Sequence, residues 1–394
     1  MLPSALHPFL LSLLQGTASR NRLPSSTDAQ AWEQLISQAA DQQITALLYR
    51  WLQESGTILS LSQSQRSDLK SRLSQQTAFN LVLADELALI LRACAKKGVP
   101  CIPIRGLALA EQLHGDIAAR PMEDLDLLVH RETLPEVTEI LRGLGFDELE
   151  HRPGFAQAYN YTLEFIKDRH GTILIEPHWT IAYPPFVDRV DMNAVWKRAV
   201  NGTVASMETS LLCPADLFLH LCCHLMHWRE RAPLLWFYEL DRVARVVEAN
   251  VDWPLTMTLA EQSGQGFLVA QAAQDLRHLF ATPIPLPSSM PRTQPAHSLS
   301  HWVAGRAERL LASECQSRGR EEFALLVTLP GWRAKLRYAW PLLFPSPAFM
   351  RTRYGPAGWG LLIVRYCNRV LRLSWEGLGW LANLLALPIK PRHH

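Results

Sequence analysis

An α+β protein, in which a small mixed sheet is held between helical segments, is predicted by three observations. Apolar positions recur at helical spacing over residues 28–97, short β-like runs alternate with short helical patterns over 99–180, and helical spacing returns from 211. With 394 residues, 48% of them hydrophobic and 19% charged, the chain can bury more than one core and does not read as disordered. The shifts of texture suggest a helical N-terminal domain (1–97), an α/β core (98–205), a helical domain (206–282), a linker (283–298) and a basic helical C-terminal region (299–394).

The elements follow in order. "AWEQLISQAADQQITALLYRWLQE" and "FNLVLADELALILRACAKKG" carry the helical period, and Gly98 after Lys96 and Lys97 suits a helix end. "VPCIPI" (99–104) reads as a short strand, "GLALAEQLHG" (106–115) as a short helix closed by Gly115, and "RPMEDLDLLVH" (120–130) as a buried strand. "LPEVTEILRGLGF" predicts an amphipathic helix ending at Gly143 or Gly145. "AYNYTLEFI" (158–166) and "TILIEPHWT" (172–180) read as strands joined by a turn at "KDRHG" (167–171). A mixed or antiparallel sheet with helices on one side fits this order. "CPADLFLHLCCHLMHWRER" places Pro214 at a first helical position, and "LLWFYELDRVARVVEA" continues the helical texture. "TPIPLPSSMPRTQPAHS" (282–298) is the clearest linker.

Composition excludes several classes. Seven scattered cysteines without a C-x-x-C support neither a disulfide framework nor a zinc ribbon, and a reducing compartment is expected. The N-terminus has an apolar stretch but no basic n-region, so a secretory signal is not expected and cytoplasmic localisation is. The net charge of +2 hides an asymmetry: residues 331–394 hold ten Lys/Arg against Glu376 alone, leaving 29 basic and 36 acidic residues before them. In that basic region Arg365, Arg369 and Arg372 recur at helical spacing among Trp, Leu and Phe, and no run reaches 18 uncharged residues. Three readings stand open for it: a cap packed on 299–330, a membrane-peripheral helix on anionic lipid, or docking to an acidic protein or nucleic acid. No strong nucleic-acid signal appears elsewhere.

Asp124 and Asp126 are two apart inside an apolar run. Alternate strand residues share a face, so both point one way with Met122 and Leu128, while Glu123, Leu125, Leu127 and Val129 point the other. Two adjacent carboxylates raise one another's pKa unless a positive group sits between them, and a divalent cation with hard oxygen ligands, Mg²⁺ or Mn²⁺, answers that need. Glu176, sharing a face with His178 on the later strand, offers a third carboxylate. The bland alternative makes Asp124 a turn residue and Asp126 one end of a salt bridge.

The set "IPIRGLALAEQLHGDIAARPMEDLDLLV", "LRGLGF", "EPHW" and "PADLFLHLCCH" resembles the uncharacterised nucleotidyltransferase family of bacterial proteins, within the polymerase-β-like nucleotidyltransferase superfamily. The likeness spans about residues 30–280. It implies a polymerase-β-like core flanked by helical domains, with Asp124 and Asp126 holding metal and Glu176 standing where a third carboxylate, usually Asp, is found. Gly106 and Arg120 match the family's glycine and arginine. Arg105 departs from its lysine, replacing a point charge by a planar fork at the expected triphosphate grip. The superfamily's Gly-Ser phosphate loop is absent as such. The implied activity is metal-dependent transfer of a nucleoside monophosphate from a nucleoside triphosphate (NTP) to an acceptor hydroxyl on a small molecule, peptide or sugar, by a two-metal mechanism. A catalytically silent nucleotide- or acceptor-binding module of the same fold is the alternative.

His220, His224 and His227 fall on one helix stripe with Asp216 and Arg231. Without an H-E-x-x-H the stripe is a poor zinc site; lining an acceptor pocket with His178, or packing between helices, are the other readings. Asp241 matches a family acid, with two readings open: a partner for one of these histidines or an N-terminal helix contact. Trp228 and Trp236 are most simply core residues.

Overall fold

The structure, a computed structural model, describes residues 6–25, 28–149, 160–169, 171–183, 186–229, 231–246, 251–288, 326, 331–355 and 357–386. Four helices open the chain: α1 (Pro8–Leu14), α2 (Ala29–Asp41), α3 (Thr45–Glu54) and α4 (Gln63–Lys97). A capping box between Ser62 and Gln65 starts α4, and Gly98 in the left-handed conformation ends it. Leu83, Leu87, Ile90, Leu91 and Cys94 give α4 one buried face over its C-terminal half, and that face lies on the sheet.

The sheet contains β1 (Cys101–Pro103), β2 (Asp124–Val129), β3 (Asp147–Glu148), β4 (Phe165–Asp168) and β5 (Thr172–His178), in the order β1-β2-β5-β4-β3. β2 and β5 run parallel at its centre and every other pair is antiparallel. Between β1 and β2 the expected helix is a single turn, α5 (Leu107–Leu109), continued by a π-helical turn over Ala110–His114 and closed by Gly115 at φ 61°. After β2 comes α6 (Leu134–Gly143), followed by Gly145 at φ 88°.

Helices cover both faces of the sheet, not one. Leu125, Leu127 and Val129 of β2 join a core with α4 and α6, whereas Leu128, with Ile102 and Ile104, belongs to a second core with the other helices. A central strand apolar on both sides must be covered on both, so a one-sided arrangement would have left one set of leucines in water. The second core unites α1 to α3 with α8 (Pro214–His227), α9 (Leu234–Val246), α10 (Trp253–Gln262) and α11 (Gly266–Phe280), which follow α7 (Met192–Arg198) and the hairpin β6 (Val200–Val204) and β7 (Met207–Leu211).

The observed β4 is displaced from the strand expected over 158–166. Residues 158 and 159 lie outside the described residues, and Thr162 makes only an isolated bridge to His178. Pro177 causes the break: its carbonyl accepts from Leu163 N–H at 3.1 Å, but proline has no N–H to return. At its other end β4 runs through Lys167 and Asp168, where a turn was expected, because buried Glu86 of α4 holds Lys167 Nζ at 2.9 Å and Arg169 Nη1 at 2.8 Å. The β6–β7 hairpin escaped the sequence reading because Ala205 and Ser206 occupy positive-φ turn positions (51° and 59°) that usually advertise themselves as Asn or Gly.

Of the expected linker, Thr282 and Ile284 are buried, and 289–298 lie outside the described residues. Toward the C-terminus the described residues include the helices α12 (Gly331–Leu343), α13 (Pro347–Tyr354) and α14 (Trp359–Ala386). Packing on 299–330 likewise falls outside the described residues apart from Leu326, whose carbonyl accepts from Lys335 Nζ at 2.9 Å. Among the described residues no helix is long and apolar enough to cross a membrane.

Glu86→Ala leaves Lys167 and Arg169 without their shared carboxylate. Because Lys167 is mostly buried and Arg169 is about half exposed, the cost should be about 2–3 kcal/mol, below the full penalty for breaking a wholly buried pair. Urea denaturation of the variant checks this; an unchanged midpoint would show that the cluster contributes nothing.

Candidate functional site

The parallel register of β2 on β5 sets Asp126 directly across from Glu176, and Leu128 across from His178. Asp126, Glu176 and His178 therefore share one face of two adjacent strands. Each offers one ligand atom, and the three atoms lie within 4.8 Å of one another. Asp124 stands one pair earlier, opposite Leu174, outside that group of three.

Asp126 is buried between two cations. Arg105 Nη2 lies 2.7 Å from Oδ2, and His178 Nε2 lies 2.9 Å from Oδ1 and 3.5 Å from Glu176. Arg105 also spans to α8, with Nη1 2.8 Å from His224 Nε2, while Tyr183 Oη lies 2.9 Å from His224 Nδ1. Arg105 occupies the turn between β1 and α5, and the turn depends on Gly106, whose φ of 53° and ψ of −115° exclude a side chain. Arg120 donates from Nη1 to Gly106 O at 3.3 Å and sets Nε 3.4 Å from Glu239 of α9. Asn80 of α4 fixes the segment before β2 by donating to Ile117 O and Arg120 O at 2.6 and 2.9 Å.

The two aspartates are electrostatically unlike. Burial pushes the Asp124 carboxyl up to about 7, and the adjacent Asp126 charge adds to this against Arg105. Burial would raise Asp126 too, but Arg105 and then His178 hold it well below the usual carboxylate range. His178 in turn is brought up to about 9: its burial favours the neutral ring, and its hydrogen bonds to Asp126 and Glu176 outweigh that. The chain thus neutralises Asp126 internally and compensates Asp124 less, through Arg105 and Arg120 alone, a donor set that suits a hard divalent cation.

A cavity of about 510 Å³ opens over this face. Asp124, Asp126, Glu176, Arg105, Gly106, Arg120 and His224 all line it. Other candidates do not. His178 sits beneath Asp126, and His220 is buried with Nδ1 2.8 Å from Ile181 O. His227 packs on the Tyr183 ring at 4.8 Å. Asp216 makes a two-point ion pair with Arg198 at 2.8 and 2.9 Å near the start of α8. Asp241 bonds Arg245 at 2.8 Å and the Thr282 hydroxyl at 2.5 Å, away from any of the histidines.

Several lining residues had no sequence signal. Trp228 and Trp236, expected in the core, form part of the wall, and Trp236 lies 4.2 Å from the His224 ring between centroids. Tyr161, Tyr183 and Gln43 also line it, together with Arg231 of the expected stripe. Gln43 carries a φ of 58°, a strained value for a residue other than glycine. Glu239, two residues before Asp241, is the acid in this helix that reaches the site; residues two apart on a helix face nearly opposite sides.

His220 supplies a pH prediction. Burial first, and the Arg105 charge second, lower it to about 3 from an ordinary 6.5. The unfolded chain takes up a proton near 6.5 that the folded chain refuses until about 3, so stability falls as pH drops through that window and is complete above it. His220→Asn preserves a donor for Ile181 O and removes the titration. Denaturation midpoints against pH should therefore fall less steeply for the variant between 6.5 and 4, and parallel curves would contradict the assignment.

No curated protein and no solved structure matches the chain. A family model described as "uncharacterised nucleotidyltransferase" matches residues 28–281, a span that runs from just before α2 to the end of α11 and contains every residue of the cavity wall. Covering well over half of the chain, that match makes the protein a member of the uncharacterised nucleotidyltransferase family.

Proposed function

We propose that the protein transfers a nucleoside monophosphate from an NTP to an acceptor hydroxyl, using Mg²⁺ or Mn²⁺ held by Asp124, Asp126 and Glu176. The observation that carries this reading is the β2–β5 register: two carboxylates on one strand and a third directly opposite, all lining a cavity whose wall also carries Arg105 and Arg120. When bound, the cations would supply Lewis acidity to the phosphates and lower the pKa of the acceptor hydroxyl, as two-metal sites do.

The chain's own residues do the rest. Arg105 and Arg120 face the cavity and would draw the triphosphate charge toward them. Glu176, in the cavity lining, would accept the hydroxyl proton as the acceptor oxygen forms its bond to the α-phosphorus and the bond to the bridging oxygen breaks, releasing pyrophosphate. His178 holds Asp126 from below and keeps its carboxylate oriented. Trp228, Trp236 and Tyr161 offer flat apolar surface against which a base or an aromatic acceptor could stack.

The silent-module alternative has one observation in its favour: Arg105 already occupies Asp126, at 2.7 Å. The two readings part on metal dependence. Thermal unfolding of the wild type with each NTP should show a midpoint rise of several degrees that requires Mg²⁺ or Mn²⁺, since ligand at 100 times Kd adds about 2.7 kcal/mol. Asp126→Asn and Glu176→Gln should both lose it, the second variant guarding against a folding defect in the first. A rise that needs no metal and survives both substitutions would favour the silent module and sink the transferase reading.

Arg105→Lys gives a second check. A lysine keeps the charge but cannot span Asp126 and His224 together, so NTP affinity should fall about tenfold in titration calorimetry. Unchanged affinity would show that the fork has no part in the grip.

A further inference from the structure

Outside the family-matched span, α12 and α14 display two apolar ridges. Along α12 and just past its end, Trp332, Leu336, Trp340 and Phe344 recur every four residues, while Tyr338 and Leu342 are buried on the other side. On α14, Val364, Leu371, Trp375 and Leu378 face outward, opposite buried Leu362, Arg369 and Leu373. All eight outward side chains are between 43% and 79% exposed, far above what an isolated surface leucine requires explaining.

The ridges sit on a fixed frame. Arg369 Nε donates to Leu342 O at 2.7 Å, Arg365 Nη1 to Gly355 O at 2.5 Å and Tyr366 Oη to Pro345 O at 2.5 Å, fastening α14 to α12 and the α13 region. Around the ridges Arg333, Arg337, Arg351, Arg353 and Arg372 are exposed. We propose that this Trp- and Arg-rich helical face docks on an anionic phospholipid surface, with the ridges entering the headgroup region and the arginines pairing with lipid phosphates.

Charge decides between the occupants. Residues 331–394 carry ten basic residues against one acid, so a second copy on this face would bring like charge to like charge. Residues 299–330 hold four basic and four acidic residues, offering no complementary charge. An anionic bilayer attracts the basic face, favours Trp at its boundary, and repels the remaining chain, where acids outnumber bases by 36 to 29. With no helix able to cross a bilayer among the described residues, the contact is in the plane of the surface. This inference does not depend on the proposed transfer chemistry.

Flotation of the full chain with phosphatidylcholine vesicles, with and without phosphatidylglycerol, tests it. The chain should float with the phosphatidylglycerol vesicles, with affinity about tenfold or more weaker when that lipid is omitted or salt is high. Trp340→Glu with Trp375→Glu, both at exposed positions, should abolish flotation without lowering the thermal midpoint, and Trp emission of the wild type should shift to the blue on binding. Failure to float with phosphatidylglycerol vesicles would overturn the proposal, as would equal binding to neutral vesicles or undiminished flotation of the double variant. A sedimentation-equilibrium dimer that the double variant dissociates would assign the face to a second copy instead.

Discussion

The structure is organised around one buried carboxylate. Asp126 cannot be carried ionised into the interior without compensation, and its compensation comes from Arg105 of the β1–α5 turn and His178 of β5. Arg105 is itself anchored by His224 of α8, and His224 meets Tyr183 from the segment after β5. Arg105, His178, His224 and Tyr183 are thereby tied, directly or in series, to a single charge. That convergence fixes the floor of the cavity, because none of these side chains can move without exposing another to an unpaired polar contact.

The two hydrophobic cores make this arrangement affordable. Leucines on alternating sides of β2 pack against α4 on one face and the helices around α8 on the other, so the strand is held rigid on both sides of the polar site. Helix α4 serves twice, through its apolar face on the sheet and through Asn80, which secures the backbone ahead of Asp124. Glu239 plays a parallel part from α9 by lying against both Arg120 and His114. The cations facing the cavity are therefore positioned by carboxylates and carbonyls behind them, leaving Asp124 as the acid with least internal compensation.

The C-terminal helices follow a different logic. There the arginines that point inward satisfy helix-end carbonyls, while the apolar side chains that point outward are exposed. The inversion of the usual pattern, together with the charge excess of the region, separates its physics from that of the acidic remainder. One chain thus carries a polar cavity lined by carboxylates and arginines and, apart from it, a basic, aromatic helical face.

Local pattern sufficed for much of this. Alternation along β2 placed Asp124 and Asp126 together, Glu176 was recognisable as an acid within an apolar run, and the helical period of α4 and α8 was plain, because strand and helix periodicities are properties of neighbouring residues. The resemblance carried Arg105, Gly106 and Arg120, which the cavity gathers at its rim. Tertiary structure alone decided the rest. The pairing register set Asp126 opposite Glu176, Pro177 interrupted β4, and Ala205 and Ser206 turned a hairpin without glycine. His220, His224 and Asp216 share one stripe of α8 by spacing, but only packing sends His224 to Arg105, His220 to a carbonyl and Asp216 to Arg198. Trp228 and Trp236 became walls and Asp241 a structural partner for the same reason. Sequence spacing fixes which side chains share a face; what that face meets depends on residues distant in the chain, whose approach is set by burial of all the cores together.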